Sequence, residues 1–87
     1  MYYIYVLQSK KDNNNYVGFT KDIALRFEEH CSGKVDSTKN RRPLKIIYFE
    51  GCISREDALK REKYLKTFYG NMFLHNRLKS YFNKVKL

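Results

Sequence analysis

The sequence predicts an α+β domain: a small three-stranded antiparallel sheet flanked by helices, in the order β-β-α-β-α-α. Three observations lead there. Two short aromatic, β-branched runs are separated by a seven-residue polar segment, the pattern of a hairpin. A third run of the same kind, Leu44 to Glu50, stands alone much later in the chain. Between and after these runs the apolar residues fall at helical spacing.

The first run, Tyr2 to Leu7 (YYIYVL), is apolar at every position, as expected for a strand covered on both faces. Its partner is Asn15 to Phe19, and Ser9 to Asn15 (SKKDNNN) supplies the turn. Gly18 sits inside the second strand, a position that suits close approach by another group. Thr20 or Asp22 can cap the helix that follows to about Cys31, with Ile23 and Phe27 inward and Arg26 and His30 on the adjoining edge. Gly33 is placed as its stop. Residues 34–43 (KVDSTKNRRP) show no hydrophobic period and read as a loop, and Gly51 ends the third strand. Ser54 opens the second helix by accepting from the Asp57 backbone, with acids in the first turn, and that helix runs to about Lys66. A last helix is expected from about Asn71 to Lys84 after Gly70, packing through Leu74, Leu78, Tyr81, Phe82 and Val85.

Eighty-seven residues suffice for one domain, expected to span 1–87, with one modest core. Cys31 and Cys52 form no C-x-x-C pair, which suggests a reducing cytoplasm over a disulfide framework or a zinc site. There is no secretory pattern and no apolar run of membrane-spanning length, so a cytoplasmic protein away from membranes is expected. The net charge is +9, unevenly placed. The first 32 residues balance, residues 33–49 carry +4 and residues 51–87 carry +6. So positive a field attracts polyanions, and nucleic acid is the expected partner. Lys39, Arg41 and Arg42 in TKNRRP are placed to neutralise phosphates along a track, or simply to solvate a loop.

Five residues could carry chemistry. Tyr5 and Tyr16 stand on adjacent strands and can bring their hydroxyls together, although strand tyrosines are commonly packing devices. Arg26 offers a planar, permanently charged fork that matches phosphate, or pairs with Glu29 or Asp22. His30, one turn on, can exchange a proton near neutral pH, or lie exposed at a helix end. Glu62 interrupts the apolar line Ala58, Leu59, Leu65 with a carboxylate. Such a group needs a partner: Lys66 at i+4, a basic residue such as Arg26, or a divalent cation.

Tyr3-Ile4-Tyr5, Tyr16-Val17-Gly18, Arg26, His30 and Glu62, in this order and spacing, resemble the GIY-YIG nuclease family, and most of all its small single-domain branch. That branch is related to the nuclease domains of bacterial excision-repair endonucleases and of certain homing endonucleases. The resemblance covers residues 1 to about 66 and leaves the last helix outside the motifs. It implies a three-stranded antiparallel sheet with the first strand central, and a metal-dependent endonuclease acting on DNA, structure-specific in repair or recombination. Tyr5, Tyr16, Arg26, His30 and Glu62 would be its catalytic residues and Glu62 the metal ligand. A lone carboxylate completed by water and phosphate oxygens suits Mg²⁺ or Mn²⁺. Tyr3 replaces the glycine of the first motif, and the family's later asparagine has two candidates, Asn71 and Asn76. The alternative is a non-catalytic basic module binding DNA or RNA on the same fold. A protein partner or a homodimer is compatible with either reading.

Overall fold

The computed structural model describes residues 1–85, with side chains to residue 84. Three antiparallel strands, β1 (Tyr2–Ser9), β2 (Asn15–Thr20) and β3 (Leu44–Cys52), form one sheet in the order β2-β1-β3. The first strand is central, and its doubly apolar sequence follows from that place: every residue from Ile4 to Ser9 is buried. On one face Ile4, Val6 and Val17 pack against Ala58, Leu65 and Leu74. On the other, Tyr5, Leu7 and Leu44 are covered by Tyr16, Ile23, Phe27 and Ile46. Helix α1 (Ile23–Cys31) therefore lies across one face, and α2 (Arg55–Leu65) and α3 (Phe68–Arg77) across the other; α4 (Lys79–Val85) completes the chain.

Of the two caps the sequence offers for α1, Thr20 and Asp22, the structure uses Asp22, and Ser54 caps α2 as expected. The Asp22 carboxylate accepts from the Leu25 N–H and Ser54 Oγ from the Asp57 N–H, each satisfying one of the amides a helix start leaves free. Glu50 on β3 takes two parallel N–H bonds of 2.9 Å from Arg61, whose guanidinium also lies over the Phe73 ring. This forked pair ties α2 to the edge of the sheet.

Four elements differ from the sequence reading. Strand β3 continues through Gly51 to Cys52, because Gly51 pairs with Tyr3 and Cys52 with Tyr2. The segment 34–43 is not a free loop: Val35 and Thr38 are buried, and a 3-10 turn spans Lys39–Arg41. The helix expected over residues 71–84 is two helices, divided at Leu78. Nothing in that stretch breaks a helix by propensity. The bend lets Tyr81 dock on the sheet, where its hydroxyl donates to Gln8 Oε1 and its ring lies under Lys45 Nζ. The side chain of Val85 lies outside the described residues. Gly70, finally, is inside α3 and does not precede it. Thr67 is the N-cap, and a Cβ at residue 70 would overlap the Tyr64 carbonyl oxygen and Leu65 Cα, so α3 crosses the end of α2 backbone to backbone.

Candidate active site

The pairing register brings the two tyrosines together. Tyr5 lies opposite Gly18 and Leu7 opposite Tyr16, so both tyrosines project to the α1 face of the sheet, two registers apart. Their ring centroids are 6.4 Å apart. The Tyr5 ring crosses directly over Gly18, where any Cβ would overlap its Cζ and Oη atoms. Gly18 is thus required by a side chain laid across the backbone, and that placement carries the Tyr5 hydroxyl toward the free edge of β2.

His30 from α1 completes the cluster. Its ring meets Tyr5 and Tyr16 edge-on at centroid distances of 5.6 and 5.2 Å. His30 Nε2 is 2.8 Å from the Tyr5 hydroxyl and Nδ1 is 2.7 Å from Thr38 Oγ1. The histidine is fully buried, which removes the exposed helix-end reading. Thr38, equally buried, escaped sequence reasoning: a threonine in a basic, non-periodic segment carries no signal that it will be folded inward. Burial first, and then the Arg26 charge, hold His30 below its ordinary 6.5, with Glu29 opposing. The neutral ring closes the Thr38–His30–Tyr5 chain in either tautomer. With the proton on Nδ1 it donates to Thr38 and accepts from Tyr5 at Nε2; with the proton on Nε2 both bonds reverse.

These groups also tune one another. Burial raises the Tyr5 phenol above 10.0; the adjacent Arg26 guanidinium works against it, while Tyr16 and Glu62 add to it. Arg26 is half-buried, and its Nη1 is 3.1 Å from Glu29 Oε1. Glu62 approaches from α2 on the opposite face. Its carboxylate is 3.2 Å from Lys66 Nζ, one of the partners the sequence offered, and among the described residues no hydrogen bond or ion pair joins it to the tyrosines, Arg26 or His30. Among the described residues no group of three His, Cys, Asp or Glu side chains converges on a metal-sized space. What is present, one partly exposed carboxylate, fits an ion that keeps most of its water shell, and does not fit a fully protein-coordinated one.

The basic segment is placed differently. Arg42 donates to the Lys39 carbonyl (2.9 Å) and the Cys31 carbonyl (3.4 Å), Lys39 pairs with Asp36 at 3.4 Å, and Arg41 Nη2 lies 3.5 Å from the Asn15 carbonyl. Arg42 thus braces the turn against α1 and Arg41 braces it against the hairpin, while Lys39 pairs within its own segment. No helix among the described residues is long and apolar enough to cross a membrane.

The fold thus has β1 central in its sheet, with the two tyrosines packed on a buried histidine and an arginine beside Tyr5. The GIY-YIG catalytic domain matches residues 1–76, and the chain belongs to the GIY-YIG family. Its relatives there include the UPF0213 protein SH2523 of Staphylococcus haemolyticus, 38% identical over 68 residues that make up 77% of this chain and 82% of that protein. A UPF0213 protein of Limosilactobacillus reuteri is 46% identical over 68 residues, 75% of this chain and 70% of the relative. The solution structure of the UPF0213 protein BH0048 from Bacillus halodurans superposes with a TM-score of 0.55 at 30% identity, covering 87% of this chain and 84% of that one. Membership makes nucleic acid the substrate class, and nucleases of this family generally use divalent metal ions.

Proposed function

We propose that the protein is a metal-dependent endonuclease that hydrolyses phosphodiester bonds in DNA, structure-specific and acting in repair or recombination. The observation that carries this reading is the hydrogen-bonded Tyr5–His30 pair, with Tyr16 against the same imidazole and Arg26 beside the Tyr5 hydroxyl. Arg26 binds the scissile phosphate through its fork and stabilises charge developing on the phosphoryl oxygens. Tyr5 and Tyr16 position the attacking water. A phenol raised above 10.0 does not ionise by itself at neutral pH, and His30 Nε2 is the acceptor that can take the Tyr5 proton as the hydroxyl receives one from water. Thr38 holds the ring for that exchange. Glu62 would hold Mg²⁺ or Mn²⁺, which supplies charge neutralisation at the phosphate and the leaving 3′ oxygen. The ion pair with Lys66 favours a second reading, a basic module that binds nucleic acid without cutting it. Incubation with duplex, single-stranded, flap and branched DNAs in Mg²⁺, Mn²⁺ or EDTA separates the two. Metal-dependent cleavage of one or more substrates is expected; binding without cleavage of any of them leaves the second reading.

Arg26→Lys keeps the charge and loses the fork. Turnover is expected to fall at least about tenfold, about 1.4 kcal/mol of barrier, with DNA affinity nearly unchanged. Parallel single-turnover cleavage and anisotropy check this. Equal losses in affinity and efficiency with turnover intact would make Arg26 a phosphate tether.

The buried histidine also sets an acid limit. Its folded pKa lies below 6.5, so the unfolded chain takes up the proton more readily. The resulting stability is complete above pH 6.5 and is lost as pH falls below it. Glu50, held below 4.5 chiefly by its hydrogen bonds from Arg61, loses its own contribution only in more acid solution. Thermal melts from pH 7 to pH 5 should therefore show a falling midpoint in the natural protein and a flatter one in His30→Gln. Parallel curves would remove the histidine as the cause.

A further inference from the structure

The β1–β2 hairpin, the 3-10 turn and α3 enclose a groove of about 700 Å³ that the reading above does not use. Asn13, Asn14 and Asn15 reach it from the hairpin, Arg41 from the turn, and Asn71 and His75 from α3. Among the described residues no acidic side chain lines it. Its back wall is fixed: Gln8 donates to the Asn13 carbonyl and accepts from Tyr81, so that amide is already committed. The Asn15 amide is not. Its Oδ1 is buried and has no hydrogen-bond partner among the described residues. A buried acceptor left unpaired costs free energy that a donor from a ligand would recover. On the opposite wall the His75 ring stacks on Phe82, with centroids 4.7 Å apart and planes 29° from parallel.

We propose that this groove is a base-recognition subsite for one unpaired nucleotide of the bound strand, an inference that rests on the nucleic-acid reading above. Carboxamides pair with a nucleobase through one donor and one acceptor, and an exocyclic amino group is the N–H that Asn15 Oδ1 lacks. The His75–Phe82 pair offers an aromatic face for the base, and Arg41 a cation for its phosphate. Position supports the assignment. Asn15 precedes Tyr16 on β2, so their side chains leave opposite faces of the same edge strand. A strand draped over that edge would set a phosphate against the partly exposed Tyr16 and Arg26 while a neighbouring base drops into the groove behind it. An unpaired base meets this geometry and a base held in a duplex does not, so the groove selects substrates with a single-stranded segment.

The test walks one abasic site along a labelled single strand and measures affinity by anisotropy in EDTA, where no cleavage intervenes. One position is expected at which loss of the base weakens binding at least about fivefold. Asn71→Ala and His75→Ala, both at exposed positions on α3, should flatten that dependence while leaving the binding of the fully abasic strand unchanged. A profile flat in the natural protein, or equally peaked in both variants, overturns the subsite. Titration of the ¹⁵N-labelled protein with AMP and CMP separates the sources of the base. Perturbation of the Asn15 and Asn71 side-chain amides at the concentrations at which the oligonucleotide binds would make the groove a free-nucleotide site and overturn the strand as occupant. Cleavage with a flat profile sinks the subsite alone, and a peaked profile without cleavage of any substrate sinks the nuclease reading alone.

Discussion

Replacing Glu62 by glutamine is expected to lower single-turnover cleavage by at least about a hundredfold while the domain stays folded. The magnitude is that of removing one preorganised electrostatic contact with a transition state, about 10²–10³ in rate. Glutamine keeps the shape and one oxygen but loses the charge that would hold a divalent ion. The fold should tolerate the change because the ion pair Glu62 makes is with Lys66, one turn on in the same helix, and that lysine is 53% exposed. Pairs of this kind contribute about 0.3–0.5 kcal/mol, too little to move the thermal midpoint by more than a few degrees. Calorimetric titration with Mg²⁺ or Mn²⁺ should lose its heat in the same variant. Cleavage at the natural rate would remove Glu62 from the chemistry, and with it the metal-binding role.

Gly18→Ala is expected to damage fold and activity together. A methyl group there overlaps Cζ and Oη of Tyr5, a residue that is 3% exposed and whose ring packs against Tyr16 and His30, so it has no free space to move into. Overpacking of a filled site costs about 1–3 kcal/mol, and in a domain of this size that lowers the thermal midpoint by at least about 4 °C. The displaced phenol would also leave Nε2 of His30. A misplacement of about 1 Å at a reacting group is enough for a loss near a hundredfold. Melting curves, and cleavage measured well below the lowered midpoint, read the two effects separately. A midpoint within a degree of the natural protein would show that the ring has room, against the close packing described for it.

The two edges of sequence legibility meet in this site. Tyr5, Tyr16, Arg26, His30 and Glu62 stood out together through an order and spacing that resemble the GIY-YIG family; locally only Glu62, a carboxylate in an apolar line, departs from the background of its element. Thr38 violates nothing locally, since its burial depends on a segment being drawn inward by His30, eight residues away. The basic track was legible as charge and illegible as geometry. Arg41 and Arg42 spend part of their hydrogen-bonding capacity on backbone carbonyls of distant residues, which no spacing announces.

By itself the sequence determined the number and order of the strands, the covered faces of β1, the helix start at Ser54 and the residues with chemical capacity. These follow from local periodicity, capping and charge, all of which act within a few residues. Only the tertiary structure decided what those residues touch. The crossing of α2 and α3 at Gly70, the division of the last helix where Tyr81 meets Gln8, the neutral buried His30 and the amide-lined groove each join segments far apart in the chain. Contacts of that range are set by how whole elements pack, and packing is a property of the assembled layers that no single stretch of sequence contains.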